Sequence, residues 1–395
     1  MPLEETKQNT SQAKQTQKST ESNPAFDALE KKFLYPEGIN QKFDLLVDHI
    51  RSVPNEEKIF FTQNLSVMLK SGLSASRAFR TLTLQANNPK FKRALIQITR
   101  SVEKGKQISE SMKLFPKIFS SIFISMIEAG EISGQLENVL KELTEQLKRS
   151  YELKNKIKGA LMYPMAILIA MTVIGTGMIV FVIPKLTSIF SEMDAELPLP
   201  TKILISVSTT VNSYIFIFAP AVIVLIGLLI YLTRKGLGQK IWHKIILSFP
   251  VINKISVKIN LAKISRTLSS LLATDMPIVK SLELTSNVVK NAYYRDSLII
   301  MSKQVEQGVT ISSQMPQFGK IYPPVVQQMI QVGEETGEIS NILNQLAEFY
   351  EEDVSTTMES LPSLIEPILI VILGSAVGGM AIAVIMPMFS LSSAI

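Results

Sequence analysis

The chain has no cysteine and only two histidines among its 395 residues, which limits the chemistry available to it. Without cysteine, disulfides, thiolate catalysis and cysteine-based zinc or iron–sulfur sites are excluded. His49 and His243 stand alone, without the His-Glu-x-x-His spacing of a metal site. His243, beside Trp242 just after an apolar run, is typical of an interfacial residue. We therefore expect no metal site and no cofactor.

Nucleotide-binding and catalytic motifs are missing as well. Gly105-Lys106 and Gly319-Lys320 lack the other glycine and the hydroxyl residue of a Gly-x4-Gly-Lys-Ser/Thr phosphate-binding loop. The apolar runs contain no paired aspartates, and no nucleophile, base and orienting residue can be combined. The sequence therefore predicts a protein that is not an enzyme and whose energy source lies in a partner.

Charged residues are scarce because long apolar runs occupy much of the chain. Hydrophobic residues make up 46% of the sequence and charged residues 19%, with a mean hydropathy of +0.24. Residues 160–183, 203–233 and 367–389 carry no charge. Each run can cross about 30 Å of hydrocarbon at about 1.5 Å per residue. We predict transmembrane helices at 159–184, 210–233 and 363–389.

The flanking charges set the expected orientation. Residues 1–22 are polar and contain no apolar core of a signal peptide, so we expect the amino terminus to stay in the cytosol. Cations cluster before the first run and after the second, as is typical of cytoplasmic segments. These cations are Lys148, Arg149, Lys154, Lys156 and Lys158, then Arg234, Lys235, Lys240 and Lys244. The resulting plan has a polar, partly disordered tail (1–55), cytoplasmic helical domains (56–158 and 234–362), an outside loop (185–209) and a short outside carboxyl terminus (390–395).

The sequence contains an internal repeat with a constant shift of 203 positions. The segment that begins Gly130-Glu131 recurs from Gly333-Glu334. The same shift, without a gap, places Pro164 on Pro367 and Pro184 on Pro387, together with many apolar positions. The repeated unit covers about 59–186 and 262–389, and each copy ends in an apolar run. Any function must therefore be built from a duplicated helical membrane unit.

Apolar residues within each copy recur at helical spacing, and strand signals are scarce. Leu136, Leu140, Leu143 and Leu147 form one stripe, whose counterparts are Ile339, Leu343, Leu346 and Tyr350. Such stripes predict two helical bundles. In the second copy Thr274-Asp275 replaces the turn Ser71-Gly72, and aspartate tolerates the left-handed region better than most residues.

A Gly-Glu-x-Ser/Thr-Gly segment is present in both copies, as Gly130, Glu131, Ser133 and Gly134 and as Gly333, Glu334, Thr336 and Gly337. It predicts a turn between two helices, in which Gly130 ends one helix in a left-handed conformation and Ser133 accepts from the next helix's first amides. Glu131 would then lie near a helix start, where a carboxylate is favoured. The identity of Glu131 and Glu334 leaves a second interpretation open, a surface contact with a partner.

Together these motifs resemble a known family. The two turns are followed by Tyr163-Pro164 and Glu366-Pro367 at the start of the spans, then by Pro184 and Pro387 at their ends. From about Ile59 to Phe389 the chain resembles the F-family inner-membrane platform protein of type II secretion and type IV pilus machines. The resemblance implies an all-α membrane protein with two homologous cytoplasmic helical bundle domains and three transmembrane helices.

The resemblance also implies partners. Such a scaffold sits in the lipid bilayer of the bacterial inner membrane and contacts a cytoplasmic hexameric assembly ATPase, prepilins or pseudopilins, and other inner-membrane components. It helps to lift prepilins out of the bilayer, and nucleic acid is not among its expected partners. The alternative is a helical repeat membrane transporter or channel, although such proteins usually need polar groups near the bilayer centre.

Three features carry hypotheses about contacts. The basic patch Lys148, Arg149, Lys154, Lys156 and Lys158 either faces the ATPase or is simply a solvated positive-inside surface. Glu366 either lies at the first turn of the third helix, bound by free amides, or receives a polar group of a prepilin leaving the bilayer. Gly374, Gly378 and Gly379 permit close helix packing, either within one chain or in a homo-oligomer.

Overall fold

The computed structural model describes residues 24–34, 52–192, 201–214, 224, 227 and 250–392. Every regular element in those ranges is helical, which confirms the all-α class. Most of the predicted second span, both histidines and the cations from Arg234 to Lys244 lie outside the described residues.

The chain divides into two compact units, and the first comprises Met1–Arg149 and Ser270–Asn287. Its helices are α1 (Pro24–Leu34), α2 (Asn55–Lys70), α3 (Ala75–Gln85), α4 (Pro89–Glu103), α5 (Ile108–Lys113), α6 (Ser121–Ser133) and the first turns of α7 (Leu136–Gly177). The first unit thus contains most of the first repeat and one short piece of the second.

Aromatic side chains form the centre of the first unit. The Phe61 ring lies 5.6 Å from Phe79 and 5.4 Å from Phe91, measured between centroids. Phe119 lies 5.1 Å from Phe123. Tilted and edge-on arrangements at these distances are favourable for aromatic pairs. Because these residues come from four helices and from the segment between α5 and α6, their packing fixes the bundle.

The tip of the second repeat completes this core. Leu271, Met276 and Leu284 belong to the same buried cluster as Phe61. The tip turns at Asp275, whose φ of 57° confirms the left-handed conformation expected there. The first bundle is therefore built from both copies of the sequence.

Helix α1 lies in the part of the chain that was predicted to be a polar, partly disordered tail. Phe26 is buried between Arg80 and Arg100, whose guanidinium carbons lie 5.6 and 5.2 Å from the ring centre. Arg100 also donates to Glu30 and, at 3.0 Å, to Asp27, and its hydrogen bond to the Glu30 carboxylate is the main cause that raises the pKa of Arg100. One aromatic residue and two acids on one face are enough to hold this short helix on α3 and α4.

The second unit comprises Ser150–Ser269 and Val288–Ile395. Its elements are the rest of α7, a π-helical turn (Met178–Val182), α8 (Ile183–Glu192), α9 (201–214), most of α10 (Pro250–Leu272), α12 (Ala292–Val305), α13 (Ile311–Gln314), a 3-10 segment (Met315–Ile321), α14 (Pro324–Thr336) and α15 (Ile339–Ser392). The end of α10 and all of α11 (Ile278–Val288) except its last residue belong to the first unit. This unit contains the greater part of the second repeat and the apolar ends of both copies.

Tyrosines replace phenylalanines in the core of the second bundle. Tyr294 and Tyr322 occupy the positions of Phe91 and Phe119, and their ring centroids lie 5.6 Å apart. The Tyr294 hydroxyl donates to the Ile321 carbonyl at 2.7 Å, and the Tyr322 and Ser297 hydroxyls lie 2.8 Å apart. Burial raises the pKa of both tyrosines. Both hydroxyls are thus satisfied inside the core, as buried polar groups require.

Two very long helices leave the bundles. The segments Leu136–Lys185 and Ile339–Ala383 are long and apolar enough to cross a membrane, and little of their apolar stretch is buried within the protein. Pro164 and Pro367 were expected at the start of the spans, and both lie inside α7 and α15, so neither begins a helix. The predicted domain boundaries at 158 and 362 therefore fall within unbroken helices, so each bundle is joined to its apolar segment without a loop.

Candidate functional site

The repeated Gly-Glu-x-Ser/Thr-Gly segment joins α6 to α7 and α14 to α15. Gly134 ends α6 with a φ of 70°, and Gly337 ends α14 with a φ of 74°. Glycine is favoured in this left-handed conformation because it has no Cβ. The second glycine of each segment, and not the first as expected, is therefore the helix-ending residue.

The first glycine of each segment has a steric role. Gly130 and Gly333 lie inside α6 and α14 and are buried. A Cβ on Gly130 would lie 3.0 Å from the Cα of Leu136, and one on Gly333 would lie 3.1 Å from the Cα of Ile339. These contacts are with backbone and cannot relax easily. Glycine here lets the next helix begin directly against the one that has just ended.

The glutamate of each segment binds the start of a third helix. Glu131 accepts from the first two amides of α5 at 2.5 and 3.0 Å. Glu334 accepts from the first two amides of α13 at 2.5 and 2.9 Å. We call each such glutamate a carboxylate cap. It satisfies amides that have no partner within their own helix and places a negative charge at the positive helix end.

These contacts correct the predicted position of the glutamate. Glu131 was expected at the start of the following helix, but it lies in the last turn of α6 and caps a helix more than twenty residues earlier. The predicted hydroxyl cap is marginal: Thr336 Oγ1 accepts from the Glu338 amide at 3.4 Å, and its counterpart Ser133 is exposed. The carboxylate caps explain the recurrence of Glu131 and Glu334 structurally.

The two copies differ beside the caps. In the first, Lys113 pairs with Glu128 at 3.0 Å. The equivalent residues in the second copy are Pro316 and Gln331, and a groove of about 560 Å³ opens there. Its lining is Thr310, Ser312, Ser313, Pro316, Pro324, Gln327, Gln328, Gln331, Glu334 and Glu335. The fold thus tolerates an ion pair or an open groove at one position.

Proline disrupts backbone hydrogen bonding at the ends of both apolar segments. Pro184 and Pro387 are equivalent in the repeat, and neither has an N–H to donate. Near Pro184 the helix widens into the π-turn, where the Ile183 amide donates to the Met178 carbonyl. In the same pattern the next carbonyl, that of Ile179, would accept from the amide of Pro184, which has no N–H. In α15 the Ala383 carbonyl likewise lacks a backbone donor, because Pro387, four residues later, has no N–H.

Two hydroxyls of α9 supply the missing donors. Ser208 donates to the Ile179 carbonyl at 2.7 Å, and Thr201 donates to the Ala383 carbonyl at 2.6 Å. Both side chains are buried. Because they are seven residues apart, about two turns, they lie on one face of α9. We call these contacts the hydroxyl bridges; they join α9 to the ends of both apolar segments of the repeat.

The basic patch is largely exposed but not uniformly so. Arg149, Lys154 and Lys158 are exposed, and Lys148 is half-buried. Lys156 donates to Ser355 Oγ of α15 at 2.6 Å. The patch therefore contains one residue that connects two helices.

The acidic stretch of α15 facing this region is also engaged internally. Glu351 forms a two-point ion pair with Arg266, at 2.8 and 2.9 Å, and both side chains are mostly buried. Asp353 pairs with Lys258 at 2.7 Å. These pairs hold α10 against α15 just before α15 becomes apolar.

The membrane-edge residues lie within continuous helix. Glu366 is exposed on α15, far from a helix start, so the capping role expected for it is wrong. Tyr163 is exposed, whereas Pro164 next to it is buried. A Cβ on Gly374, Gly378 or Gly379 would meet nothing within 4 Å. This leaves the small-residue face of α15 open within the described residues.

Sequence reasoning did not identify Thr201, Ser208 or Ser355 as important residues. The prolines carried a usable signal, since a proline inside a helix always leaves a carbonyl without its normal donor. What the sequence did not reveal is which hydroxyl would reach that carbonyl, because Thr201 and Ala383 are far apart along the chain.

Comparison with known proteins gives two matches to one family model. The model describes the type II secretion system (T2SS), protein F, and it matches residues 61–184 and 264–387. The two matches follow the same shift of 203 positions as the repeat. Together they cover more than half of the chain.

Curated relatives extend the likeness over most of the chain. It is 29% identical to the type IV pilus assembly protein PilC of Myxococcus xanthus, over 89% of this chain and 84% of that protein. It is 30% identical to PilC of Thermus thermophilus, over 84% and 81% of the two chains. It is 25% identical to the type II secretion system protein F of Pseudomonas aeruginosa, over 87% and 84%.

Replacing the carboxylate caps tests their structural role. Glu131→Gln or Glu334→Gln leaves one oxygen and turns an NH₂ group toward a backbone N–H, so we expect a loss of about 1–3 kcal/mol in the free energy of unfolding. Thermal or denaturant unfolding of the purified protein measures it. Glu145→Gln, at an exposed position of α7, is the control and should change little. Normal stability with lost assembly would instead favour the partner-contact interpretation.

Removing the hydroxyl bridges tests the attachment of α9. Thr201→Val and Ser208→Ala each leave a buried carbonyl without a donor, so we expect each to cost about 0.6–2 kcal/mol in a membrane environment. The measurement is the unfolding midpoint of the protein in lipid nanodiscs. Thr209→Val is the control, because Thr209 is exposed and bonds only within its own helix, to the Ile205 and Ser206 carbonyls. Midpoints equal to the control would contradict the assigned bridges.

Proposed function

Because this chain belongs to the family of the type II secretion system protein F, we propose that it couples a cytoplasmic assembly ATPase to prepilin or pseudopilin extraction and filament assembly. Its place as an inner-membrane platform protein of a type II secretion or type IV pilus machine comes with the family. The coupling to an ATPase and the choice of filament subunits are the parts that we propose. We further propose that the chain is not itself an enzyme.

The observation that carries the coupling proposal is the continuity of α7 and α15. Leu140 and Leu143 are buried in the core of the first bundle, while the far end of the same helix is apolar and exposed. With 42 residues, α7 is about 63 Å long, and with 54 residues α15 is about 81 Å long. We propose that a displacement of either bundle is passed along the continuous helix into its apolar segment.

The proposed topology has three spans and a cytoplasmic amino terminus. Two spans are the apolar parts of α7 and α15, and the third begins with α9. The hydroxyl bridges support a position of α9 beside the ends of the other two. The positive-inside distribution of Lys and Arg supports the orientation. Transport is less well supported, because runs 160–183 and 367–389 contain no acidic or basic residue.

We place ATPase docking on the basic patch. Lys154 and Lys158 are exposed just before the apolar part of α7, so force applied there would act directly on the span. Lys156 holds α15 through Ser355, which would connect the patch to the second long helix. A partner with acidic surface residues fits this patch.

Glu366 is the proposed contact for filament subunits, and the glycine face of α15 the proposed contact for a second copy or another membrane component. Glu366 is the one acid between residues 360 and 392, and its exposure within an apolar surface is costly unless it has a polar partner. Gly374 and Gly378 are one helical turn apart and exposed or half-buried, as close helix packing requires.

Charge reversal tests the docking proposal. We expect Lys154→Glu combined with Lys158→Glu to reduce co-purification of the machine's ATPase about tenfold, because two attractive contacts become repulsive. The control is Lys104→Glu combined with Lys141→Glu, an equal charge change at exposed positions away from the membrane. Insertion into membranes should stay normal in both. Equal co-purification of the two variants would refute docking at the patch.

Neutralising Glu366 tests the subunit contact. We expect Glu366→Gln to slow pilus formation or secretion several-fold at normal membrane levels, since a charged group of the subunit would lose its partner. Glu352→Gln, exposed on the same helix but within the acidic stretch, serves as the control. A normal assembly rate in the Glu366 variant would exclude this contact.

A further inference from the structure

A pocket on the first bundle has a composition that suggests a partner of defined chemistry. It has a volume of about 350 Å³ and lies between the start of α4 and the segment that joins α5 to α6. Ala94, Phe115 and Ile118 supply apolar surface, and Leu114 stands at the edge with 68% of its surface exposed. Pockets of roughly 300–1,000 Å³ are typical of binding sites.

The rest of the lining is basic. Lys90, Arg93 and Lys117 contribute cations, Pro116 completes the wall, and no residue of the lining is acidic. Nearby, Lys58 donates to the Ile118 carbonyl at 2.6 Å, and burial, with a smaller effect of Lys90, lowers the pKa of Lys58. The pocket therefore combines an apolar floor with a strongly positive rim.

The second repeat shows that the fold does not need this composition. The positions of Lys90 and Arg93 hold Tyr293 and Asp296 there, and the position of Leu114 holds Gln317. Helices equivalent to α4, α5 and α6 form in the second copy as α12, α13 and α14, and a 3-10 segment follows α13 there. An exposed leucine and these two cations are thus a property of the first copy alone.

We propose that this pocket binds an acidic segment of a cytoplasmic protein partner, in which an aromatic or aliphatic side chain is flanked by carboxylates. The apolar side chain would enter over Phe115 and Ile118, and the carboxylates would pair with Lys90, Arg93 and Lys117. Aromatic anchors in pockets supply most of the binding energy at protein interfaces, and charges at the rim add association rate and specificity.

This inference deepens the proposed function by giving the first bundle a second docking surface, separate from the basic patch on α7. It rests on the proposed function only in that the machine supplies cytoplasmic partners. The binding itself is measurable without the machine.

The test uses the full-length protein in nanodiscs of neutral lipid and a short fluorescent peptide with one phenylalanine between glutamates. Anisotropy should show saturable binding. Peptides with glutamine for glutamate, or alanine for phenylalanine, should bind at least about tenfold more weakly. Arg93→Glu with Lys117→Glu should weaken binding of the parent peptide by a similar factor. Lys104→Glu with Lys141→Glu, of equal charge change, should leave it unchanged.

A second variant guards against misfolding, since Arg93 is partly buried. Leu114→Ser with Lys117→Glu changes only exposed side chains and should weaken binding as well, with an unaltered unfolding midpoint. Equal affinity in the pocket and control variants would overturn the proposal.

The chain's own residues 35–51 are the remaining alternative occupant, because they carry Asp44 and Asp48 among apolar residues. Asp44→Asn with Asp48→Asn should leave peptide affinity unchanged, and a rise in affinity would overturn the proposal in favour of this segment. If the peptide fails to bind while the ATPase still co-purifies, the pocket is refuted and the proposed function stands. If the peptide binds and the ATPase does not co-purify, the pocket proposal stands and the proposed function is refuted.

Discussion

The structure depends on backbone polar groups that helices cannot satisfy by themselves. The first amides of α5 and α13 lack helical partners, as do the carbonyls that Pro184 and Pro387 deprive of a donor. In each case a side chain from another helix supplies the missing bond, a glutamate for the amides and a hydroxyl for the carbonyls. Because an unsatisfied buried group is costly, these four points fix which helices lie together, both in the bundles and at the ends of the apolar segments.

The two copies use this common framework differently. The first bundle has a core of phenylalanine rings, a basic exterior and an ion pair, Lys113 with Glu128, beside its carboxylate cap. The second has tyrosines whose hydroxyls are bonded inside the core, and an open groove beside its cap. The glycines and glutamates of the two helix junctions recur at the shift of 203, whereas the core rings and the residues beside the caps have diverged. Divergence on a shared framework is expected when two domains of one platform meet different partners.

Local chemistry was predictable from the sequence, and long-range pairing was not. The helical stripes, the left-handed Asp275 and the location of the helix junctions follow from residue type and spacing over a few positions. The assignment of Gly130 failed because two glycines four residues apart fit the same turn, and only the packing of Leu136 distinguishes them. The helix that Glu131 caps and the donors for the Ile179 and Ala383 carbonyls depend on which helices are neighbours. The spacing of hydrophobic residues does not indicate that.

The position of Leu271, Met276 and Leu284 in the first core bears on the order of synthesis. A ribosome makes residues 1–149 well before it reaches 270–287, so the first bundle leaves the tunnel with part of its apolar interior uncovered. It becomes complete only after residues 150–269 have been translated and the second repeat has begun to fold.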